Sequence, residues 1–234
     1  MQKLLKDYGV ELDENEVFRA MGYPEITRVS QPVLDLCRKQ MRRVPALVDP
    51  WADYREVGIQ QVDGDSVRLD SCGILRSRRV ASMLRRAREL AVCLVTLGPA
   101  ISVEIRRLLA DNCTAEALAL DAAATAATGA LLAQCHAHIC RHAGARGCGT
   151  TVPYGPGYTG WDLRDLPVLF ACLESAHPPV QLNQALMMIP EKSLLSVIGL
   201  VPGGCVAPEV VACRMCDLGH CSLRRAAAVG HHPA

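Results

Sequence analysis

The sequence predicts an α+β fold, and three observations carry that expectation. Helical and strand-like segments are mixed along the chain without the regular βαβ rhythm of a doubly wound sheet. A long Ala-rich helical run from Thr114 to about His142 stands beside short all-apolar runs such as AVCLVTLGP. At 234 residues and 50% hydrophobic, the chain can bury one large core or two small ones.

In order, Asp13 followed by Glu16 has the form of a capping box, and Gly22 with Pro24 should end the short helix that follows. A second helix is expected to begin at Ser30, with Pro32 in its first turn, and to bury Val33, Leu34, Cys37 and Met41. YREVGIQQV and SVRL flank Asp63-Gly64-Asp65, a turn sequence that predicts a hairpin. Residues 76–90 have helical period, with Val80, Met83, Leu84 and Leu90 apolar and Arg76, Arg79, Arg85, Arg86 and Arg88 left to solvent or to an acidic partner. AVCLVTLGP then predicts a buried strand stopped at Gly98-Pro99, and ISVEIRRLLADN a helix.

In the Ala-rich helix, small side chains and Gly129 allow neighbours to approach the backbone closely. Asp121 lies within that small-residue face, either as a surface or capping carboxylate or facing a ligand's polar group. His138 and His142 are four apart and could share a metal, but no third ligand of clear type stands near them; Cys135 and Cys140 read as core. Further on, DLRDLPVLFACLES predicts a helix, and QALMMIP and SLLSVIGLV two apolar strands joined at 190–193.

The segment TVPYGPGYTGW, residues 151–161, holds three of the nine aromatic residues of the chain. Pro153 and Pro156 fix φ, while Gly155 and Gly157 permit positive φ or close approach of another molecule to bare backbone. Such a loop is stiff, and serves either as a turn whose aromatics plug a core or as a ligand platform.

Charge excludes some functions. With 25 Lys+Arg against 24 Asp+Glu, nothing general favours nucleic acid or an anionic membrane. The opening MQKLLKDYGV lacks a signal-like apolar stretch and the Ala-rich run is broken by Glu116 and Asp121, so a cytoplasmic chain is expected. Twelve cysteines then read as reduced thiols, buried or metal-bound. Cys213, Cys216 and Cys221 form C-x2-C-x4-C, with Cys205 eight residues ahead; four thiolates can close around zinc or hold an iron-sulfur cluster, and spacing does not separate these. His220 could replace Cys205 as fourth ligand, and Cys148 is a further candidate. The corresponding division of the chain is 1–75, N-terminal helices and hairpin packing onto the core; 76–204, the core; 205–225, the metal-binding tail; and 226–234, a frayed end.

PGY, Trp161 and ALMMIPEKSLLSVIGL, in that order, resemble the S-adenosylmethionine-binding activation domain of cobalamin-dependent methionine synthase, and especially its stand-alone relatives. EVFRAMGY, LVTLGP and LDAAATAA resemble segments of that group, as does the C-x2-C-x4-C ending followed by Arg224, so the likeness spans nearly the entire chain. It implies a twisted antiparallel sheet with flanking helices. It also implies reductive rescue of a Co(II) corrinoid, in which one electron arrives and the methyl group of S-adenosylmethionine traps the reduced metal. The implied partners are a corrinoid protein or cobalamin-dependent methyltransferase and an electron donor, with no nucleic acid or membrane.

Carried onto this chain, the resemblance makes Tyr154, Gly155, Pro156, Gly157 and Tyr158 the cofactor-binding turn, with Tyr158 toward the corrin as the candidate catalytic residue. Asp121 joins the cofactor-binding set, and Cys205, Cys213, Cys216 and Cys221 the metal set. Two positions depart. Where the group commonly has an arginine for the carboxylate of S-adenosylmethionine, this chain has Pro153, and Gly160 stands where relatives often have Asp. Loss of a charge-assisted bond weakens binding by about 1.5–3 kcal/mol, about 10- to 100-fold, unless another arginine such as Arg164 substitutes. The alternative to a reactivation factor is therefore a non-catalytic corrinoid-docking module with structural zinc that no longer binds S-adenosylmethionine.

Overall fold

The computed structural model describes residues 12–23, 25–70, 72–173 and 178–204, together with Cys213 and Cys221. Helix α1 (Glu14–Ala20) begins at Asp13, whose Oδ1 accepts the Asn15 N–H at 2.8 Å, and Gly22 at φ +91° turns the chain away. A 3-10 turn (Ile26–Arg28) leads to α2 (Gln31–Met41), which starts at Ser30 with Pro32 in its first turn as the sequence predicts. Cys37 is buried, and Val33, Leu34 and Met41 pack partly buried against the same core. Gln40 is buried too, its Oε1 accepting from Arg43 Nη1 at 2.7 Å. The short α3 (Val44–Leu47) completes this region.

The chain then enters the sheet. Strand β1 (Trp51–Val62) turns at Asp63–Asp65 into β2 (Ser66–Leu69), the expected hairpin, and β3 (Gly73–Arg76) pairs antiparallel with β2. Helix α4 (Arg78–Leu84) is shorter than its sequence periodicity indicates. Leu90 belongs to β4 (Glu89–Thr96), where it lies between Val57 of β1 and Gly199, so strand pairing on both sides overrides helical period beyond Leu84. Helices α5 (Ala100–Ala110) and α6 (Thr114–Ala145) follow, then β5 (Cys148–Thr150), a 3-10 turn (Leu163–Asp165) and α7 (Leu166–Leu173). Of QALMMIP only Met188–Ile189 is strand: it forms β7, paired with β6 (Gln181–Leu182) in a small separate hairpin. Strand β8 (Ser193–Pro202) returns to the centre.

The main sheet has six strands in the order β3-β2-β1-β4-β8-β5, every neighbouring pair antiparallel. The hairpin strands are thus members of the sheet itself, β1 lying beside β4 along eight residue pairs. Strand β4 is buried from Leu90 to Thr96 because both faces are covered. Ala91, Cys93 and Val95 point to one face, packed under α1, α2, α5 and α6; Leu90, Val92 and Leu94 point to the other, under α4, α7 and the aromatic turn. By length and composition α6 could cross a membrane, but its apolar face is taken up by the core, with Ala119, Leu120, Ala123, Ala127 and Leu131 at most 1% exposed. Its alanines let the helix lie close against the sheet.

Candidate functional site

After β5 the chain continues along β8 without forming a regular strand. Thr151 N–H donates to Gly199 O at 2.9 Å, and Tyr154 and Val197 exchange backbone bonds of 3.0 and 2.8 Å. Here the sequence signal at Gly155 finds its cause: an added Cβ would collide with the carbonyl oxygen of Leu195 on β8. Strand packing by itself demands glycine at that position. Beyond it Gly157 and Gly160 adopt φ of +93° and +80°, and Gly157 N–H closes the turn onto Trp161 O at 2.9 Å.

The aromatics of this turn divide into two roles. Tyr154 is 1% exposed and Trp161 3% exposed, their rings stacked with centroids 6.4 Å apart. The Tyr154 hydroxyl donates to Thr159 O at 2.5 Å, and Trp161 Nε1 donates to Asp165 Oδ2 at 2.8 Å. Asp165, a buried carboxylate that sequence reasoning missed, also accepts the Arg76 N–H at 2.6 Å and so ties the turn to β3. The Ser77 hydroxyl donates to Gly160 O at 2.8 Å and accepts from Val80 N–H, joining the turn to the start of α4. Tyr154 is therefore a buried support of the turn and lines no open surface. Tyr158 rests edge-on against it at 5.2 Å and is 41% exposed.

Tyr158 borders a cleft of about 230 Å³. Pro156 and Tyr158 form one side, with Leu163 and Leu166 beside them. Leu186, Met187 and Met188 form the opposing side, and Leu194 and Leu195 of β8 the base. The aromatic turn and the MMIPEKS segment, far apart in sequence, are thus brought together. Among the described residues Glu191 is the one charged residue lining the cleft, a role that the sequence reading did not assign to it. Its own backbone N–H, with Ser102 and Arg106 adding to it, holds its carboxyl below the usual carboxylate range; Arg106 Nη1 lies 2.5 Å away. Among the described residues none that lines the cleft is basic, and Arg164, the proposed substitute for the missing arginine, is 83% exposed and paired with Asp162 at 3.0 Å.

The other candidates fall elsewhere. Asp121 is paired with Lys192 at 2.8 Å, so its carboxylate holds the corner between β7 and β8 instead of lining the cleft. His138 lies against the Tyr54 ring and His142 lies 3.5 Å from Glu56, so the two histidines have different partners. Cys135 is buried with its Sγ 2.8 Å from Cys93 Sγ, and Cys140 Sγ lies 3.0 Å from Thr150 Oγ1. Cys205 and Cys216 lie outside the described residues, as do His220 and Arg224; Cys213 and Cys221 are half-buried. Among the described residues no group of three or more His, Cys, Asp or Glu side chains could hold a metal ion.

Fold and cleft together define an α+β domain, a single antiparallel sheet covered by helices on one face and by helices and an aromatic turn on the other. Among solved structures the chain is similar to the MetH reactivation domain bound to AdoHcy, with a TM-score of 0.64 over 83% of this chain and 75% of that one, at 12% sequence identity. The likeness establishes the fold. At the level of sequence, no protein-family model and no curated protein matches the chain.

Proposed function

We propose that this protein is a corrinoid reactivation factor, supporting S-adenosylmethionine-linked reductive rescue of Co(II) cobalamin on a partner methyltransferase or corrinoid protein. One observation carries the reading: on the fold of the MetH reactivation domain, the PGY turn and the MMIPEKS corner meet to form an apolar cleft with an exposed tyrosine at its edge. The cleft suits part of the ligand. Leucine and methionine side chains fit an adenosyl group. Among the described residues nothing basic in the lining offers a partner to the ligand's carboxylate. Binding here rests on apolar contact and on the rigidity of the turn, which holds Tyr158 and the cleft wall in place before a ligand arrives.

In the proposed reaction an external donor supplies one electron to the partner's cobalt, and the methyl group leaves the sulfonium for the reduced metal, its bonding pair staying on sulfur. Residues of this chain bind and orient; none is asked to move a proton. The test uses anaerobically purified protein with reductant. It should bind S-adenosylmethionine and S-adenosylhomocysteine by calorimetry and convert the absorption spectrum of a Co(II) corrinoid protein. Absence of both overturns the proposal.

Pro153 favours a second reading, a docking module that keeps the fold, has lost the methyl donor and carries structural zinc on Cys205, Cys213, Cys216 and Cys221. Metal analysis distinguishes them: brown protein with iron and sulfide supports electron relay, and colourless protein with one zinc per chain supports the module.

A further inference from the structure

Strand β8 has a second hollow at its other end. Leu195 in the cleft and Val201 are six residues apart, about 20 Å at the usual strand rise. Around Val201 lies a depression of about 240 Å³, walled by Ser82 and Met83 of α4, Arg85 and Arg86 just beyond it, and Thr150 of β5. Among the described residues no carboxylate lines it. Both arginines are exposed, and among the described residues neither is held by an acidic side chain, unlike Arg38, Arg43, Arg107 and Arg146, each of which is bridged to a glutamate. Arg78 and Arg88 on the same segment are likewise exposed and without a carboxylate partner among the described residues. In a chain of formal net charge +1, one short segment thus gathers several arginines that no carboxylate bridges among the described residues.

One hydroxyl adds to the donor set: Ser82 is exposed on the rim, whereas Thr150 Oγ1 is turned to the α6 face of the sheet, 3.0 Å from Cys140 Sγ and 3.4 Å from His136 Nε2. Guanidinium groups present planar forks of N–H donors matched to tetrahedral oxyanions, and a hydroxyl adds a short donor beside them. Desolvation at a concave wall strengthens such bonds over those of a flat surface.

We propose that this hollow binds a phosphate-class oxyanion, free or as the phosphoryl group of a nucleotide-like small molecule, with Arg85 and Arg86 as its principal donors. The site is separate from the cleft and does not depend on the reading of the cleft. Calorimetry on the full chain at low salt and at about 0.15 M salt, with inorganic phosphate, pyrophosphate and ADP as probes, tests it. Saturable binding is expected, weakened about 10- to 100-fold in the Arg85→Gln/Arg86→Gln double variant with an unchanged melting temperature. The Arg85→Lys/Arg86→Lys variant, which keeps charge but loses the fork, should fall between. Tighter binding of ADP or pyrophosphate identifies a nucleotide-like source, and equal binding of phosphate a free anion. The proposal is overturned if no probe saturates, if the glutamine variant binds as tightly as the native chain, or if polyglutamate binds and phosphate does not, which would reassign the arginines to an acidic protein.

Discussion

Lys192 Nζ lies 2.8 Å from Asp121 Oδ1 and 2.9 Å from Thr125 Oγ1, fastening the corner before β8 to the long helix α6. Lys192 is only 15% exposed, and it follows directly the one acidic residue that lines the cleft among those described. Replacing it by methionine keeps the apolar stem but leaves Asp121 and Thr125 without the ammonium. A loss of about 1 kcal/mol is expected. Hydrogen exchange should rise at residues 188–193 and little elsewhere; uniform protection would show that the pair does not hold the corner.

Glycines of the aromatic turn should differ in their tolerance of alanine. At Gly155 a methyl group meets the Leu195 carbonyl, which is backbone and cannot yield without separating the turn from β8. At Gly157 the neighbour is the end of the Leu163 side chain, and the main cost is the positive φ. Gly155→Ala should cost about 2 kcal/mol or more, and Gly157→Ala about 1 kcal/mol. Equal melting temperatures for the two variants would contradict this account.

Tyr154 and Tyr158 should separate stability from binding. Tyr154→Ala opens a cavity in the core beneath the turn and should cost about 3–5 kcal/mol, whereas Tyr154→Phe, which loses the hydroxyl bond to Thr159 O but keeps the ring, should cost about 1 kcal/mol. Tyr158→Ala should leave the melting temperature within about 2 °C and lower affinity for S-adenosylhomocysteine. If Tyr158→Ala unfolds the protein, its ring serves the core instead of the cleft.

The missing cation can be restored. In Pro153→Arg a guanidinium regains reach toward a ligand carboxylate, and affinity for S-adenosylmethionine should rise about tenfold. Decarboxylated S-adenosylmethionine is the control, since its affinity should not change; a rise for both ligands would assign the effect to the backbone freed from proline.

Acid should loosen the helical layer at a defined point. Hydrogen bonds from Arg107 and then Arg43 lower the Glu104 carboxyl from 4.5 to about 2, tying α5 to the segment before α3. The folded-state value is depressed, so this contribution is present in full above about pH 4.5 and is lost as pH falls toward 2. Glu104→Gln should lower the melting temperature at pH 7 and flatten its decline between pH 4.5 and 2. Parallel declines for variant and native chains would refute the assignment.

Elements with local causes were legible from residue types alone: the cap at Asp13, the helix start at Ser30 with Pro32 in the first turn, the Asp63-Gly64-Asp65 turn, the apolar run of β4 and the Ala-rich α6. The rigid turn at 151–161 was legible too, since proline and glycine act through their own backbones. Tertiary structure alone decided the rest. Leu90 left its helical period because β1 and β8 pair on either side of it, and Gly155 had to be glycine because of a carbonyl forty residues away. Tyr154 and Tyr158, alike in sequence, were sent one inward and one outward by the register of the turn on β8. Glu191 became the cleft's acid, and Arg85 and Arg86 gathered at Thr150, through contacts between distant segments. Local propensity acts on neighbours along the chain, whereas burial and strand register depend on residues that only the fold brings together.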